Sequence, residues 1–389
     1  MNLVSRPDPV ARARSVAASI AAAADTIERT QQIPEPLLSE LHAARLWRML
    51  LPRAVDGDEV EPWVYLRAIE EISRHDGSVG WNIFVGNSAA LIAPFFEAET
   101  MRAIFGDPRT VVAWGPPNAC QAHAVPGGYR ISGEWGFASG CRQATWMGAH
   151  AQVVEPDGSL RRNATGRPTI RTLLFPAENA EHVANWQTIG MRGTASEGYR
   201  LHDLFVPEAF TATREDQTLR RLPGKLYAFP QQTLYPVGVA GVAIGIARAM
   251  LEKFIELATR KTPRGLGRLA DNAVVQGNVA RMQARLDAGR AYLTETLSDI
   301  WTTADDAGVI DIRTRSRLRL ACAHAIHEAI AVADFTYKAA GVDAIFAGTP
   351  FERRFRDMHT LSQQIQSRDA HFEATGRILL GIAPEGTFF

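Results

Sequence analysis

The spacing of apolar residues divides the chain into three stretches. From residue 9 to about residue 105, apolar side chains recur every three or four positions, as in the run from Leu37 to Trp47, which predicts amphipathic helices. From residue 111 to about residue 207, short apolar runs are punctuated by Gly, Pro and Asn, which is typical of strands and turns. Beyond about residue 230 the helical spacing returns. It predicts four long helices, at 236–260, 272–303, 311–340 and 353–380.

This order of elements predicts an α+β fold. A chain of 389 residues is too long for one compact core, so more than one domain is expected. We expect an N-terminal α-helical domain over residues 1–110, a central β-barrel or β-sandwich domain over 111–215, and a C-terminal four-helix bundle over 216–389.

The first of the long C-terminal helices contains an apolar run rich in Gly and Ala, residues 236–250. This run is too short to span a bilayer before charged residues interrupt it. Gly238, Gly241 and Gly245 recur at helical spacing, and residues without a bulky side chain let a second helix approach closely. We interpret the run as a buried packing helix, whose partner could be in the same chain or in another subunit.

Charge and cysteine content exclude several classes of function. Lys plus Arg and Asp plus Glu both number 42, so the formal net charge is zero, and a dedicated nucleic-acid binder would need a basic surface. Three cysteines without a CxxC pair indicate neither a disulfide framework nor a Cys-rich zinc site, and no metal site is predicted. These features fit a cytoplasmic protein that does not bind a membrane.

The residues from Gly128 to Gly140 are the most informative stretch for chemistry. A turn signal precedes a strand that carries Trp135 and Phe137 and runs directly into Ser139. Such a strand can lay an aromatic ring against a planar cofactor and aim backbone N–H groups and one hydroxyl at its edge. An ordinary β-hairpin is the alternative interpretation. The chain contains no GxGxxG after a strand, no GxxxxGK[ST], no GxSxG and no HExxH.

Several segments together resemble the acyl-CoA dehydrogenase superfamily of flavoproteins. The similarity is strongest to its branch of two-component flavin-dependent monooxygenases, the dibenzothiophene monooxygenase and aromatic hydroxylase type. It covers nearly the whole chain in order and spacing. The segments that carry it are Ser73–Trp81, which resembles a "D-x-S-x-GW" junction, Gly127–Cys141, Leu204–Pro207, Arg353–Asp357 and Thr375–Gly381.

This resemblance implies a flavin, FAD or FMN, between the β domain and the helical bundle. One group of residues would line the isoalloxazine ring: Trp114, Gly115 and Asn118 on one side, and Phe137, Ala138 and Ser139 near its centre and N5. A second group would reach the cofactor across a subunit interface: Arg260 and Arg264 at its phosphates, and Gln276. The resemblance also implies a homotetramer.

The candidate catalytic residues are Gln364, His359 and Ser139. An acyl-CoA dehydrogenase needs a carboxylate base, but the stretch 358–366, where many members of the family carry it, contains neither Asp nor Glu. The monooxygenase branch usually has His near Gln364, and an amide cannot shuttle a proton near neutral pH. His359, His371 or His75 could take that role. Trp81, His75 and His371 are the expected substrate-pocket residues.

The favoured function is therefore a flavin-dependent monooxygenase that acts on a small organic molecule. Because the chain lacks a recognisable nicotinamide-binding motif, a separate flavin reductase would supply the reduced flavin. Two alternatives remain open. One is an acyl-CoA dehydrogenase-type α,β-desaturase with a displaced base, and the other is a non-catalytic flavin- or ligand-binding protein of the same fold.

Overall fold

The computed structural model describes residues 8–382 and begins with a group of helices that confirms the first predicted stretch. Asp76 ends one of these helices and begins the next, because its side chain accepts a hydrogen bond from the Val79 N–H over 2.9 Å. The helices are α1 (Pro9–Ser15), α2 (Ala17–Thr30), α3 (Glu35–Ala43), α4 (Pro62–His75), α5 (Gly77–Ala90) and α6 (Ala98–Phe105).

Helix α5 is the central helix of this group. All of its residues except Val85 are buried, as expected for a helix surrounded by protein. Its two asparagines find partners inside the core. Asn87 donates to the Leu46 carbonyl over 2.7 Å, and Asn82 donates to the Gly193 carbonyl over 3.0 Å. The second bond fastens α5 to the strand-rich part of the chain.

The strand-rich stretch forms one eight-stranded sheet, in which seven strands follow the order β6-β7-β3-β2-β4-β5-β8 and β1 pairs with β4 beside this path. Strands β1 and β2 share one edge of β4, both in parallel register. The strands are β1 (Val112–Trp114), β2 (Gln121–Val125), β3 (Gly128–Ala138), β4 (Trp146–Val154), β5 (Ile170–Pro176), β6 (Glu181–Val183), β7 (Glu197–Pro207) and β8 (Thr211–Ala212). The domain predicted as a β-barrel or β-sandwich is thus built from a single sheet.

Side chains inside the sheet show that it is strongly bent. Tyr199 on β7 donates its hydroxyl to the Gly148 carbonyl on β4, although two strands separate β7 from β4 in the sheet. Trp135 on β3 donates to the His150 carbonyl, also on β4, over 3.0 Å. The rings of Trp135 and Tyr199 stack with centroids 5.5 Å apart. These contacts enclose one apolar core between the two halves of the sheet.

Three of the four predicted C-terminal helices are observed close to their predicted bounds, and the fourth is broken. Residues 353–380 form two helices separated by a turn, because Gln364 is extended and its side chain accepts from a backbone N–H two residues further on. The helices are α7 (Gln231–Arg260), α8 (Ala273–Thr303), α9 (Ile312–Ala340), α10 (Glu352–Leu361) and α11 (Ala370–Leu379).

The glycines of α7 serve packing within the chain. A Cβ at Gly238 would lie 2.3 Å from the Phe84 ring, and one at Gly245 would lie 2.5 Å from the Glu70 carbonyl oxygen. Helices α4 and α5 therefore occupy the space beside these glycines. Helix α7 is the one helix of the described residues with the length and composition of a membrane span, and 89% of its most apolar window is buried.

Asp357 on α10 connects the last helices to the sheet domain. Its buried carboxylate accepts the Met191 N–H over 2.5 Å. Burial, together with the nearby carboxyl of Asp76, raises the pKa of Asp357 to about 7. The connection between helices and sheet thus includes a group that titrates near neutral pH.

Gly238→Ala is expected to lower the free energy of unfolding by about 1–3 kcal/mol, because the added methyl group would overlap the Phe84 ring. Gly376→Ala on α11 is the matched control. A Cβ there meets no atom within 4 Å, so alanine should raise helix stability by about 0.5–1 kcal/mol. Urea unfolding followed by circular dichroism measures both. Equal stabilities of the two variants would contradict the packing described for α7.

Asp357→Asn should change how stability depends on pH. Between the ordinary carboxyl pKa of 3.8 and the folded-state pKa of about 7, the folded protein holds a proton that the unfolded chain has lost. Stability therefore falls as pH rises through this window, on the order of 1 kcal/mol per pH unit. The Asn variant has no such carboxyl and does not lose stability in this way. The difference between its Tm and that of the parent should therefore increase from about pH 5 to about pH 7. Glu373→Gln, which removes an exposed carboxyl, should show a constant offset. A constant offset for Asp357→Asn as well would refute the assignment.

Candidate functional site

Strand β3 ends in a bulge that turns Phe137 away from the sheet. The register of β3 against β7 shifts between Trp135 and Ala138, and Phe137 has a φ of 60°, in the left-handed region. Its ring is 68% exposed and approaches Trp186 edge-on, with centroids 6.2 Å apart. A bulky residue in this conformation costs about 1–3 kcal/mol, and such strain clusters at binding sites.

Ser139, two residues further on, belongs to a chain of hydrogen bonds whose direction is fixed at its far end. Thr194 Oγ1 donates to the Met191 carbonyl over 2.8 Å and therefore accepts from Ser196 Oγ at 2.7 Å. Ser196 in turn accepts from Ser139 Oγ at 2.5 Å. Trp81 Nε1 donates to Ser139 over 3.0 Å. The hydrogen bonds thus run from the Trp81 indole N–H to the Met191 carbonyl, and the acceptor of each hydroxyl proton is defined.

This direction determines what Ser139 can offer a ligand. A hydroxyl has one proton and two lone pairs, and here the proton goes to Ser196 while Trp81 uses one lone pair. One lone pair remains. Ser139 is therefore an acceptor for a ligand N–H at this edge and is not free to donate a proton.

The Trp186 ring and the Ser139 hydroxyl are positioned by the same turn, which contains Met191. Trp186 Nε1 donates to the Met191 carbonyl over 3.0 Å, the same oxygen that ends the chain from Ser139. Met191 and Ala195 both have positive φ angles, 52° and 40°, so the turn itself is conformationally unusual. Phe137, Trp186 and Ser139 form what we call the Phe137 site.

Of the other residues predicted to contact the ring, Trp114 and Gly115 lie in the crowded interior of the sheet domain. A Cβ at Gly115 would lie 2.2 Å from the Gly136 carbonyl oxygen, which explains the glycine. Trp114 is half-buried, and the Arg214 guanidinium lies over its ring, with Cζ 4.9 Å from the centroid.

Ala138 and Asn118 contribute less directly. Ala138 is fully buried in the sheet core, backbone included. Asn118 is exposed, but both ends of its amide are hydrogen-bonded, one to β3 and one within the β1–β2 loop. Its Nδ2 donates to the Glu134 carbonyl, and its Oδ1 accepts from the Cys120 N–H, both over 2.8 Å.

Gln364 joins the site through aromatic side chains that the sequence did not mark as functional. Its side chain lies near the hydroxyl of Tyr235, whose pKa is raised by burial. The Tyr235 ring meets Phe84 edge-on at 4.9 Å, and Phe84 meets Trp81 at 4.8 Å. A row of aromatic residues therefore connects Gln364 to Ser139. Tyr235 could have been noticed as a polar aromatic residue within an apolar helix.

His359 and His75 have partners elsewhere. His359 Nε2 lies 3.0 Å from Asp334 Oδ1, in a contact between α9 and α10. His75, at the end of α4, lies 3.6 Å from Glu71, and burial lowers the pKa of its imidazole. Neither contacts the Ser139 chain among the residues that the structure describes.

His371 is also used structurally. Its Nε2 lies 2.7 Å from the Ile365 carbonyl, and its other ring nitrogen lies 3.3 Å from Arg319. Burial, and then the charge of Arg319, lowers the pKa of His371. A neutral imidazole held in this way fixes the turn between α10 and α11. Among residues 8–382, none of the three histidines hydrogen-bonds to the chain of hydroxyls that begins at Ser139.

Arg260, Arg264 and Gln276 lie at the far end of the bundle. Arg260 is the last residue of α7, and the separation from Tyr235 near its start amounts to about 37 Å along a helix axis. Both arginines are exposed, and Gln276 Nε2 donates to the Ala270 carbonyl over 2.8 Å. A single protomer does not bring these three residues to the Phe137 site.

One group of potential metal ligands occurs in the described part of the chain. The ligand atoms of Cys141, His182 and Glu197 lie within 4.8 Å of one another. However, Glu197 is paired with Arg142 at 2.6 Å, and burial raises the pKa of the Cys141 thiol to about 12. The thiol therefore stays protonated, and the group does not support a metal assignment.

Curated relatives match the chain over almost its full length. It is 28% identical over 367 residues to an indole-3-acetate monooxygenase of Acinetobacter baumannii, covering 93% of this chain and 91% of that protein. It is 26% identical to the oxygenase component of an FADH(2)-dependent resorcinol hydroxylase of Rhizobium sp., covering 97% and 95%.

Solved structures with the same fold include flavin complexes. XiaF from Streptomyces sp., in complex with FADH2 and glycerol, superposes with a TM-score of 0.89 at 23% identity, covering 97% of this chain and 96% of that one. FMN-bound TdsC from Paenibacillus sp. superposes with a TM-score of 0.80 at 20% identity, covering 98% and 99%.

Two models of one family match the two helical parts of the chain. The model "Acyl-CoA dehydrogenase, N-terminal domain" matches residues 11–100, and "Acyl-CoA dehydrogenase, C-terminal domain" matches residues 237–368. Together they cover more than half of the chain, and they flank the sheet that carries Phe137 and Ser139. The protein belongs to the acyl-CoA dehydrogenase family.

Proposed function

We propose that this protein is the oxygenase component of a two-component flavin-dependent monooxygenase that acts on a small aromatic molecule. The observation that carries the proposal is the Phe137 site. A strained, exposed aromatic ring stands there beside a hydroxyl whose one free lone pair accepts an N–H. Relatives named for indole-3-acetate and resorcinol support the aromatic substrate.

The residues of this site fit a flavin, FAD or FMN. Phe137 would contact the face of the isoalloxazine, and Ser139 would accept the N5–H of its reduced form. A bound reduced flavin would supply the two electrons needed to activate molecular oxygen. Because the fold neighbours are described with FADH2 or FMN, and a relative is named as FADH(2)-dependent, a separate reductase would deliver the reduced cofactor.

The surroundings of Gln364 favour oxygenation over acyl-thioester dehydrogenation. A dehydrogenase base must be a carboxylate within reach of the substrate α-proton, whereas Gln364 offers an amide near the Tyr235 hydroxyl. Both groups can orient a substrate hydroxyl or ring N–H, and neither removes a proton readily near neutral pH. The aromatic row of Trp81, Phe84 and Tyr235 would exclude water from the reacting atoms.

Flavin binding and oxygen transfer test the proposal. We expect reduced FAD or FMN to bind in an anaerobic titration. Mixing with ¹⁸O₂ and indole as a probe substrate should give a product that carries one ¹⁸O atom. Phe137→Leu should weaken flavin binding roughly tenfold, because the ring contact is lost. Phe205→Leu is the matched control, since Phe205 is an exposed aromatic residue of the same sheet, 42% exposed on β7.

Each alternative function has its own outcome in this experiment. Reduction of bound oxidised flavin by an acyl thioester without oxygen would identify a dehydrogenase. A protein that binds neither flavin at micromolar concentration would be a binding protein of this fold. Equal flavin affinities of Phe137→Leu and Phe205→Leu would show that the Phe137 site does not bind the flavin.

We further propose that the active form is a cytoplasmic homotetramer in which a partner subunit completes each flavin site. The position of Arg260, about 37 Å along α7 from Tyr235, and of Arg264 just beyond the end of that helix supports this arrangement, because these cations lie far from the Phe137 site of their own protomer. Gln276 lies on the same exposed end. Domain boundaries near residues 110 and 215 are part of the proposal.

Mixing two defective proteins tests the shared site. The double variant Arg260→Ala, Arg264→Ala and the single variant Phe137→Leu should each bind flavin weakly. If protomers exchange freely in an equal mixture, about a quarter of the sites should combine an intact Phe137 with intact partner arginines and regain the parent affinity. The same mixture kept below the exchange temperature is the control. No recovery after proven exchange would place the arginines outside the cofactor site.

A further inference from the structure

Helix α10 packs directly against the loop that carries Met191. Arg356 Nη1 donates to the Ile189 carbonyl over 2.5 Å. A Cβ at Gly190 would lie 2.2 Å from the Arg356 carbonyl oxygen, so the two backbones are in contact. The Asp357 carboxylate accepts the next N–H, that of Met191, over 2.5 Å. The position of this loop therefore depends on α10.

Met191 connects this contact to the Phe137 site. Its carbonyl accepts from Trp186 Nε1 over 3.0 Å and from Thr194 Oγ1 over 2.8 Å. The Thr194 hydroxyl is the last of the series that starts at Ser139. Met191 itself has a φ of 52°, a conformation that a non-glycine residue keeps only when its surroundings hold it. The backbone of Met191 thus joins α10 on one side to the indole and the hydroxyl series on the other.

Asp357 is 3% exposed and faces charges of both signs. Asp76 at the α4–α5 junction and Glu28 on α2 oppose its ionisation, whereas Arg353 and Arg354 on α10 favour it. Burial, followed by the charge of Asp76, has the largest effect and raises the pKa of Asp357 to about 7. The ionised and protonated forms of this carboxyl are therefore both populated near neutral pH.

The two forms hold the Met191 N–H with different strength. A carboxylate oxygen makes a charge-assisted hydrogen bond, which is roughly twice as strong as one between neutral groups. The protonated carboxyl still offers an acceptor oxygen but lacks the charge. Because the Met191 backbone is strained, a weaker hydrogen bond leaves the loop less well held. Ionisation of Asp357 is thus coupled to the geometry of the loop.

Building on the proposed flavin-dependent reaction, we propose that Asp357 is a positioning residue for the cofactor. Its carboxylate holds the Met191 peptide, and through it Trp186 and Ser139, in the arrangement that binds the flavin. Asp357 acts through Met191 and does not itself contact the cofactor. Flavin affinity should therefore be higher when Asp357 is ionised. Ionisation of this buried carboxyl lowers the stability of the folded protein over the same pH range, so affinity and stability should change in opposite directions.

The pH dependence of flavin affinity tests this role. Reduced FAD is titrated anaerobically into the parent protein and into Asp357→Asn, whose side chain keeps an acceptor oxygen and lacks the charge. The ratio of the two dissociation constants cancels any titration of the flavin itself. At about pH 6 the two proteins should bind alike, and at about pH 8 the variant should bind about five- to tenfold more weakly.

Stability separates positioning from a purely structural role. A residue needed only for folding would lower flavin affinity and Tm together when it is replaced. Asp357→Asn should instead raise the Tm at about pH 8, because it removes a buried charge, while it weakens flavin binding. Glu373→Gln, which removes an exposed carboxyl, is the matched control, and its flavin affinity should equal that of the parent at both pH values.

Replacement of the facing carboxyl should move the midpoint of the affinity change. Asp76→Asn retains a side-chain oxygen that can cap α5, and it removes the charge that opposes ionisation of Asp357. The rise in flavin affinity with pH should then occur at a lower pH than in the parent. An unchanged midpoint would show that a group other than Asp357 titrates, and would overturn the inference.

Hydrogen exchange separates this inference from the proposed reaction. In the protein without flavin, the protection of the Met191 amide is measured by mass spectrometry and corrected for the intrinsic exchange rate at each pH. It should increase at least about threefold from about pH 6 to about pH 8 in the parent and stay constant in Asp357→Asn.

The combined outcomes are distinct. Parallel pH profiles of flavin affinity for the parent and Asp357→Asn would overturn the inference and leave the proposed reaction intact. If protection changes as expected but no flavin binds, the monooxygenase assignment fails, and with it the role of Asp357 toward the cofactor, whereas its control of the loop stands.

Discussion

The turn at residues 190–196 is the structural feature on which the three parts of the molecule depend. The Met191 N–H is bound by Asp357 of the C-terminal helices, and the Gly193 carbonyl is bound by Asn82 of α5. A side chain at Gly193 would lie 2.1 Å from Ile27 of α2, so the backbone itself fills this junction. Helices from both ends of the chain therefore meet the sheet on one turn.

This junction explains how the exposed Phe137 ring and the Ser139 hydroxyl keep a fixed position relative to each other. The Met191 carbonyl orders Trp186 on one side and ends the hydroxyl chain from Ser139 on the other. Each hydroxyl in this series of hydrogen bonds donates its proton to a fixed acceptor. Rotation of one hydroxyl would therefore leave a buried neighbour without its hydrogen bond. The strain at Phe137 is thus supported by a network of fixed geometry, which is the usual condition for a preorganised site.

Local pattern was enough to predict most of the fold. The helical period marked the N-terminal helices, and the glycine spacing marked α7 as a packing helix, because these signals arise from neighbours in sequence. The break at Gln364 was missed, since it depends on a side chain binding backbone rather than on Pro or Gly. Phe137 and Ser139 were identified from the strand that contains them, whereas Tyr235 and Ser196 were not.

The sequence by itself determined the order of helices and strands, the family resemblance and the strand that carries the candidate site. The tertiary structure decided which polar groups share protons, which glycines face α4, and that the Asp357 carboxyl is buried against the Met191 N–H. The physical reason is the separation in sequence over which each effect acts. Periodicity and capping act over a few residues, whereas the direction of a hydrogen bond and the balance of a buried charge depend on groups that are distant in the chain.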